Sequence, residues 1–309
     1  MSVVGVDAAA IQEALEILGP LARTDVNLGV LTTYRVGGDT ALYIEAQSEQ
    51  DLEAVSRVRN ETDLPTLVIG KGSNLLVADS GFPGVTVAIG KLFETIRMDR
   101  ETATVYAGST VALPSLARQS VASGLTGFEW AVGVPGSIGG AVRMNAGGHG
   151  GDMAAVVTEV NMFDLRTSRS ETKTKDEMTF SYRKSAVTQD SIVLGATLQL
   201  ERDDTASGAK VLSEIVQWRR ENQPGGQNAG SVFVNPEEET SGELLDRLGF
   251  KGFRIGSAQV SAKHANFVQA DPGGSAADVD AVITAIADRV FSETGISLRT
   301  EIQRIGFEG

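Results

Sequence analysis

A run of glycines between Trp130 and Gly151 constrains the fold of this chain more than any other stretch. It reads WAVGVPGSIGGAVRMNAGGHGG and holds eight glycines with a single charged residue. So many glycines weaken a strand, because each adds conformational entropy loss and removes packing surface. Glycine also lets a ligand approach the backbone closely and exposes N–H groups. The run is therefore either a backbone cradle for an anion, such as a pyrophosphate, or a set of tight turns in a β-rich domain.

The charge and cysteine content exclude several classes of protein. The 309 residues carry a net charge of −13 and suit about two domains. A chain so acidic lacks the positive surplus that nucleic acid or an acidic membrane requires, although one local basic pocket remains possible. Disulfides and cysteine chemistry are excluded because there is no cysteine, and two histidines argue against a metal site. With no apolar run of membrane-spanning length, we expect a soluble cytoplasmic protein.

Periodicity and turn signals predict an α+β chain without internal repeats. We expect a linker at residues 201–208, where charged and small residues end in a glycine. Capping boxes at Ser48 and Ser275, with Asp three residues later, open two of the helices. Helices are predicted at 9–19, 49–59, 113–123, 209–221, 244–248 and 276–293. Strands are predicted at 41–46, 67–70, 85–89, 103–108, 156–164, 191–201, before Pro236, at 253–256, 266–269 and 297–304, the last including Glu301.

A second glycine-rich turn, Gly70-Lys-Gly-Ser-Asn74, follows a short apolar strand. It is too short for a phosphate-binding P-loop, and no G-x-G-x-x-G run opens a helix after a strand. Both P-loop and Rossmann folds are thereby rejected. The turn supplies either ligand donors or an ordinary β-turn, in which glycine and asparagine adopt positive φ.

Seven motifs taken together closely resemble the MurB family of UDP-N-acetylenolpyruvoylglucosamine reductases. The resemblance covers the chain from about residue 30 onward, and it is the order of the motifs that makes it specific. The motifs are YRVGG (34–38), GKGSNLL (70–76), PGSIGG with NAG (135–147), YRKS (182–185), AGSVFVNP (229–236), KHANF (263–267) and EIQRIG (301–306).

The resemblance implies a two-lobed FAD-binding domain of the PCMH/vanillyl-alcohol-oxidase type, followed by an α+β substrate domain. We expect a peripheral N-terminal helix in residues 1–29, the FAD-binding domain at 30–205, and the substrate domain at 206–309. The two lobes would span about 30–90 and 91–205. Because no inserted tyrosine loop follows Arg183, the chain resembles the shorter, loop-lacking branch of the family.

The resemblance also implies a reaction. NADPH reduces a non-covalently bound FAD and leaves, and the enolpyruvyl ether of UDP-N-acetylglucosamine then accepts a hydride to give UDP-N-acetylmuramate for peptidoglycan. Hydride addition at C3 of the enolpyruvyl group leaves negative charge that needs a fixed stabiliser, and then one proton at C2. By resemblance these roles fall to Arg183 as stabiliser, Ser231 as proton donor and Glu301 as their assistant. We expect a monomer that binds neither nucleic acid nor membranes.

The binding residues carry over from the same motifs. The flavin contacts are expected at Gly72, Ser73, Asn74, Leu75, Gly136, Ser137, Gly140 and Asn145. Substrate-side residues are expected at Tyr182, Asn235 and Lys263, and the segment at Gln223-Pro224 is expected to reach the nucleotide-sugar.

Val234 and His149 need separate comment within the resemblance. Val234 stands where many members of the family have a lysine. Lys71 and Arg143 could supply the missing charge, although such residues are more often at the surface. In related flavin oxidases a histidine can be attached covalently to FAD, but we expect His149, within this glycine run, to serve a turn.

Two other functions remain open from the sequence. One is a different PCMH-type flavin oxidase that acts on an alcohol or a sugar with O₂. The other is a non-catalytic binding protein that retains the fold. The presence of Arg183, Ser231 and Glu301 argues against both.

Overall fold

The computed structural model describes residues 7–307, so residues 1–6 of the predicted N-terminal segment, like residues 308–309, lie outside the described range. The described residues form eight α-helices: α1 Ala8–Leu18, α2 Glu49–Glu61, α3 Leu113–Ala122, α4 Ile138–Met144, α5 Met153–Val156, α6 Thr205–Asn222, α7 Ser241–Arg247 and α8 Ala276–Thr294. None of the helices in this range is long and apolar enough to cross a membrane.

Eighteen strands within the same range, most of them short, complete the α+β fold. They are β1 Val26–Asn27, β2 Asp39–Ala46, β3 Thr66–Ile69, β4 Leu75–Val77, β5 Phe82–Ile89, β6 Ile96–Asp99, β7 Thr104–Gly108, β8 Leu125–Thr126, β9 Gly147–Gly148, β10 Gly151–Asp152, β11 Val157–Asp164, β12 Arg169–Thr174, β13 Ser191–Gln199, β14 Glu201–Arg202, β15 Arg254–Ile255, β16 Ala258–Val260, β17 Val268–Ala270 and β18 Gln303–Ile305.

The first lobe is a four-stranded sheet in the order β1-β2-β5-β3. Strands β2 and β3 both run parallel to β5. Helices α1 and α2 pack on this sheet through one cluster of buried aliphatic side chains. Because β3 and β5 are parallel, their carboxyl ends at Ile69 and Ile89 lie at the same edge. Ligands of open parallel sheets bind at such an edge.

The second lobe is a five-stranded antiparallel sheet in the order β12-β11-β13-β7-β6. Helices α3 and α4 contribute Leu116 and Val142 to its buried core. Helix α6 contributes Ile215 to the same core. The predicted domain boundary near residue 205 stays a prediction, but this packing groups α6 with the second lobe.

The C-terminal part packs α7 and α8 with the small sheet β15-β16-β17. Its core also takes in Tyr34, Val36 and Leu76 from the first lobe. The last strand, β18, leaves this part and pairs parallel with β4 of the first lobe. The C-terminal part is therefore joined to the two lobes at both of its ends.

All six predicted helices occur in the structure within a few residues of their expected ends. The capping box at Ser48 is confirmed, with its side chain and that of Asp51 each accepting a backbone N–H. The box expected at Ser275 is only half formed, because the Asp278 carboxylate accepts from Ser257 instead. Local sequence signals therefore located the helices. At Ser275, a tertiary contact between Asp278 and Ser257 replaces one half of the expected capping box.

Three local expectations were wrong, and one element was not foreseen. The glycine run contains helix α4, which neither the cradle nor the turn interpretation foresaw. The strand expected before Pro236 is a single bridge between Phe233 and Thr300. The final strand begins at Gln303, so Glu301 precedes it in a bend. The linker expected at 201–208 instead holds β14 and the first turn of α6.

Candidate active site

A cleft of about 650 Å³ opens where the two lobes meet the C-terminal part. Its walls come from the loop after β3, from the glycine run and from the segment 228–231 that precedes the Phe233 bridge. Three of the motifs that the sequence analysis identified therefore face one space. A cleft of this size suits a cofactor or a ligand of similar size.

The charge of the cleft is opposite to that of the whole protein. Among the residues described, its lining includes four cations and one carboxylate, namely Lys71, Arg143, Arg183, Arg219 and Glu301. The whole chain carries a net charge of −13. Concentrating cations in a concave site of an acidic protein raises the local concentration of small anions. The cleft is thus suited to ligands that carry phosphate or carboxylate groups.

The loop after β3 is held in a conformation that only glycine adopts easily. Gly72 has φ +58°, and a Cβ there would lie 2.3 Å from the carbonyl oxygen of Leu31. Asn74 follows, and its Nδ2 donates to the carbonyl of Glu301 at 3.1 Å. The loop therefore both lines the cleft and fixes the backbone of the predicted catalytic glutamate.

Seven of the eight predicted flavin residues line the cleft: Gly72, Ser73, Asn74, Leu75, Gly136, Ser137 and Gly140. Around Gly140 there is open space, since a Cβ at this position would meet no atom within 4 Å. Such a position lets a ligand approach the backbone of α4 directly. The cradle interpretation of the glycine run agrees with this geometry.

Asn145, the eighth predicted flavin residue, lies beside the cleft and not in its lining. It is buried and ends α4 with φ +41°. Its Nδ2 donates to the carbonyl of Ser181 at 3.0 Å, and its Oδ1 accepts from the N–H of Ala154 at 2.9 Å. The side chain therefore holds the segment that carries Arg183.

Arg183 sits at the tip of a tight turn. Ser181 and Lys184 exchange two backbone hydrogen bonds, each 3.0 Å long, around Tyr182 and Arg183. Arg183 has φ +57°, a conformation that costs a non-glycine residue roughly 1–3 kcal/mol. Strain of this kind is typical of functional sites. Here the turn directs a cation into the cleft.

Arg183 Nε lies 2.5 Å from Glu301 Oε1, and both side chains are largely buried. The N–H of Nε does not align with a hydrogen-bond acceptor, so the contact is an ion pair more than a directed hydrogen bond. Burial raises the pKa of the Glu301 carboxyl, and the neighbouring Arg183 opposes that rise. Arg183 is thus a cation that favours the charged form of Glu301 against the effect of burial.

Ser231 and Glu301 are brought together by backbone hydrogen bonds. The N–H of Glu301 donates to the carbonyl of Val232 at 2.7 Å. Phe233, the residue after Val232, is clamped by the side chain of Asn266. Asn266 Nδ2 donates to the Phe233 carbonyl at 2.8 Å, and Asn266 Oδ1 accepts the Phe233 N–H at 2.9 Å. Ser231, which precedes this clamp, and Glu301 both line the same cleft.

The three predicted substrate-side residues do not line the cleft. Tyr182 is 53% exposed, with the Arg183 guanidinium 5.1 Å from its ring centroid. Asn235 accepts the N–H of Ser241 at the start of α7. The ammonium of Lys263 donates to the carbonyl of Arg220 at the end of α6. Their assignment as substrate contacts stays a prediction.

The sequence interpretation missed an aromatic cluster at the cleft wall. His149 and Trp218 meet edge to face with ring centroids 5.0 Å apart, and both line the cleft together with Arg219. Burial and the nearby Arg219 lower the pKa of His149. Gln223, expected near the nucleotide-sugar, also lines the cleft and accepts from Arg219 Nε at 2.7 Å. The sequence signal that could have revealed this cluster was Trp218, a large aromatic residue next to polar residues in the predicted helix 209–221.

Several features fit a bound flavin dinucleotide. The hydroxyls of Ser109 and Thr110 are buried near the cleft without a hydrogen-bond partner in the described structure. Lys71 and Arg143 add positive charge to the cleft that the open backbone at Gly140 also lines. Unpartnered donors, cations and an accessible backbone are what a pyrophosphate and a ribose require.

The two-lobed α+β fold and this cleft define an FAD-binding oxidoreductase of the PCMH type. Residues 40–169 match the model of an FAD binding domain, and residues 222–305 match that of the C-terminal domain of UDP-N-acetylenolpyruvoylglucosamine reductase. The chain belongs to the UDP-N-acetylenolpyruvoylglucosamine reductase (MurB) family.

Individual relatives support this membership across most of the chain. A UDP-N-acetylenolpyruvoylglucosamine reductase of Heliobacterium modesticaldum is 42% identical over 285 residues, which cover 90% of this chain and 88% of the relative. One from a Synechococcus species is 39% identical and covers 96% of both chains. The crystal structure of the Thermus caldophilus enzyme superposes with a TM-score of 0.79 at 30% identity, covering 92% of this chain and 99% of that one.

Proposed function

We propose that this protein is an NADPH-dependent flavoenzyme that reduces the enolpyruvyl ether of UDP-N-acetylglucosamine to UDP-N-acetylmuramate in peptidoglycan precursor synthesis. The observation that carries the proposal is the 2.5 Å meeting of Arg183 and Glu301 in the cleft, next to Ser231. A cation, a hydroxyl and a carboxyl are what the addition of hydride and a proton to an enolpyruvyl group requires. Family membership supports the same reaction and leaves a general flavin oxidase less supported.

FAD would be held non-covalently by the two glycine-rich loops, Gly72–Leu75 and 136–140. Lys71 and Arg143 would offset its negative charge. His149 packs edge to face against Trp218, and we assign it this packing role without a covalent bond to the flavin. When bound and reduced by NADPH, FAD supplies the hydride that is added to C3 of the substrate.

Arg183 is assigned to the carboxylate of the enolpyruvyl group. Hydride addition at C3 breaks the double bond and leaves negative charge shared between C2 and the carboxylate oxygens. A guanidinium offers two parallel N–H donors to such a group. Because the tight turn already holds Arg183 in the cleft, little reorganisation is needed when the charge develops.

Ser231 is assigned as the proton donor to C2, with its O–H bond breaking as the C2–H bond forms. Serine is a weak acid, so it can donate its proton only to a strongly basic carbon such as C2 after hydride addition. The Ser231 oxygen must then regain a proton before the next turnover. Glu301 assists this protonation. Burial raises the pKa of its carboxyl, so it holds a proton more readily than an exposed glutamate does.

The remaining parts of the proposal concern partners and setting. NADPH and the nucleotide-sugar use the same cleft in turn. A monomer suffices, because the three assigned residues line one cleft in one chain. The localised positive charge favours small anions over nucleic acid. The cytoplasm, which holds NADPH and nucleotide-sugars, is the proposed compartment.

A spectrum of the purified protein, followed by half-reaction kinetics, tests the function. We expect flavin absorbance that is bleached by NADPH and restored quickly by the enolpyruvyl nucleotide-sugar under anaerobic conditions. UDP-N-acetylglucosamine without the enolpyruvyl group is the control and should restore no colour. A colourless protein that takes up no FAD, or a reduced flavin that only O₂ reoxidises, would contradict the proposal.

A further inference from the structure

A carboxylate of the first lobe caps the long helix of the C-terminal part. Asp79 Oδ1 accepts the N–H of Ala276 at 2.9 Å, and Asp79 Oδ2 accepts the N–H of Ala277 at 3.0 Å. These are the first two residues of α8, and the N–H groups of a first helical turn find no partner within their own helix. A negative charge also interacts favourably with the positive end of a helix dipole. Asp79, 197 residues before Ala276 in sequence, therefore ties the first lobe to the C-terminal part.

The loop that carries Asp79 is enclosed by two glycines from distant parts of the chain. A Cβ added to Gly38 would overlap the carbonyl oxygen of Asp79, and a Cβ added to Gly306 would overlap the carbonyl oxygen of Gly81. Gly38 and Gly306 end the YRVGG and EIQRIG motifs, and neither glycine has a role in the proposed reaction. Close backbone packing of this kind requires glycine. The two glycines therefore hold the loop in the place from which Asp79 reaches α8.

Asp79 and the flavin loop lie on either side of the short strand β4. Before the strand, Asn74 Nδ2 donates to the carbonyl of Glu301 at 3.1 Å. Along the strand, β4 pairs with β18. After the strand, Asp79 holds the first turn of α8. The segment 74–79 thus contacts the C-terminal part before, along and after β4, and it sets the position of that part relative to the flavin loop.

The residues assigned to the reaction are divided between the lobes and the C-terminal part. Arg183 belongs to the second lobe, whereas Ser231 and Glu301 belong to the C-terminal part. A shift of the C-terminal part would therefore displace the proton donor from a substrate that Arg183 still holds. Misplacing a reacting group by about 1 Å can slow a step by as much as about 10²-fold.

We propose that Asp79 is a positioning residue, which fixes the C-terminal part through α8 so that Ser231 reaches C2 of the substrate. Asp79 is not among the described residues that line the cleft, so it acts only through the elements that it holds. The inference rests on the proposed function, because it assumes that Ser231 protonates C2.

The test compares Asp79→Ala and Asp79→Asn with the wild type in the full, FAD-loaded chain. Alanine removes both hydrogen bonds, whereas asparagine keeps one oxygen acceptor and loses the charge. Because Asp79 is exposed, neither change leaves a core cavity or a buried charge. Asp204→Ala is the matched control, since Asp204 also accepts an N–H at the start of a long helix, that of Ala206 at 3.1 Å, but within its own segment.

Stopped-flow absorbance measures the two half-reactions, in H₂O and in D₂O. We expect Asp79→Ala to slow reoxidation by saturating enolpyruvyl nucleotide-sugar about 3- to 30-fold. The solvent deuterium isotope effect on reoxidation should increase, because proton transfer then limits the rate more strongly. Flavin reduction by NADPH and the half-saturating substrate concentration should stay within about twofold of wild type, since Arg183 is unmoved. Asp79→Asn should fall in between, and the control should match the wild type.

Amide hydrogen exchange gives a second readout that needs no substrate. If Asp79 fixes the C-terminal part, Asp79→Ala should accelerate exchange at Ala276 and Ala277 and also at β18, where the N–H of Gln303 donates to the Asn74 carbonyl at 2.9 Å. Acceleration confined to the first turn of α8 would make Asp79 an ordinary helix cap and overturn the inference.

The kinetic outcomes separate this inference from the proposed function. A wild-type protein that the enolpyruvyl nucleotide-sugar does not reoxidise would overturn both. Wild-type reoxidation in both Asp79 variants would overturn the inference alone. So would slower reoxidation with an unchanged isotope effect, because that result would mean that Asp79 supports the fold and not the proton transfer. If Asp79→Ala does not fold, the same measurements on Asp79→Asn decide.

Discussion

The N–H of Glu301 donates to the carbonyl of Val232 at 2.7 Å, which holds the residue after Ser231 against the residue that carries the buried carboxylate. These two segments are about 70 residues apart in sequence. Their pairing fixes a hydroxyl and a carboxyl at one wall of the cleft before any ligand arrives. Preorganisation of this kind lowers the reorganisation needed during a proton transfer.

Replacing Ser231 by Ala should separate the two half-reactions. Flavin reduction by NADPH should remain near the wild-type rate, because it needs no proton at C2. Reoxidation by the enolpyruvyl substrate should slow by about 10²- to 10⁴-fold, the usual contribution of a general acid. Stopped-flow absorbance measures both rates. Ser213→Ala, which removes an exposed hydroxyl of α6, is the control. An unchanged reoxidation rate in Ser231→Ala would remove Ser231 from the mechanism.

Substrate binding should be accompanied by proton uptake at Glu301. The enolpyruvyl carboxylate competes with Glu301 for Arg183, and Arg183 is the group that opposes the rise in the Glu301 pKa. A displaced Glu301 keeps the raising effect of burial but loses the lowering effect of its cation. Its pKa therefore rises further, and at a fixed pH it binds more protons.

Calorimetry in buffers of different ionisation enthalpy measures this uptake. The observed binding enthalpy should increase with the ionisation enthalpy of the buffer, because the buffer supplies the proton. Glu301→Gln should abolish the dependence while it still binds substrate. A positive slope that persists in this variant would assign the proton to another group.

Gly72→Ala should destabilise the protein by more than the conformational cost of a positive φ. The new Cβ would meet the Leu31 carbonyl at 2.3 Å, so either the loop or its neighbour must shift. Gly295→Ala is the control, because Gly295 has φ +75° but a Cβ added there would meet no atom within 4 Å. We expect a loss of about 1 kcal/mol for the control and at least about twice that for Gly72→Ala. Urea denaturation of the flavin-free proteins compares them, and equal losses would contradict the steric argument.

Asn266→Asp should destabilise the clamp on the segment after Ser231. The amide now donates to the carbonyl of Phe233, whereas an aspartate would place a carboxylate oxygen against that carbonyl. Burial raises the folded-state pKa of the new carboxyl above its unfolded value. The loss, about 2–4 kcal/mol near neutral pH, should therefore shrink as the pH falls and the carboxyl regains a proton.

Thermal melts between pH 4 and 8 measure the effect of Asn266→Asp. Asn222→Asp is the control, because Asn222 also donates to a carbonyl, that of Trp218, but at the exposed end of α6. A loss in Asn266→Asp that did not depend on pH would mean that the clamp is not electrostatic in origin.

Elements with a local signal at their ends could be predicted from the sequence. Ser48 and Gly295 mark helix ends through their own hydrogen bonds and dihedral angles, so nearby residues suffice to identify them. Helix α4 could not be found in this way. Its first turn is held from outside, by N–H groups of Ile138 and Gly139 that donate to the carbonyls of Val111 and Ser109. No pattern within the glycine run encodes those partners.

The candidate site also contains some residues that could be predicted from the sequence and others that could not. Arg183, Ser231 and Glu301 were predicted from motifs, and all three line the cleft. Trp218 and Arg219 were not predicted, because their role depends on which elements cover each face of α6. Helical periodicity separates a polar face from an apolar one, but it does not tell solvent from a ligand cavity. Only the tertiary arrangement makes that distinction.

The parallel pairing of β18 with β4 bears on how the cleft can open. The C-terminal part leaves the FAD-binding half after α6 and returns to it at Gln303–Ile305, where three residues pair with Leu75–Val77. A body attached at two separate points has fewer ways to move than one attached by a single linker, so we expect any opening of the cleft to be a rotation about the line that joins the two attachments. Glu301 lies two residues before the second attachment, and its carbonyl accepts from Asn74 Nδ2 of the first lobe. We therefore expect Glu301 to move less than the rest of the cleft wall.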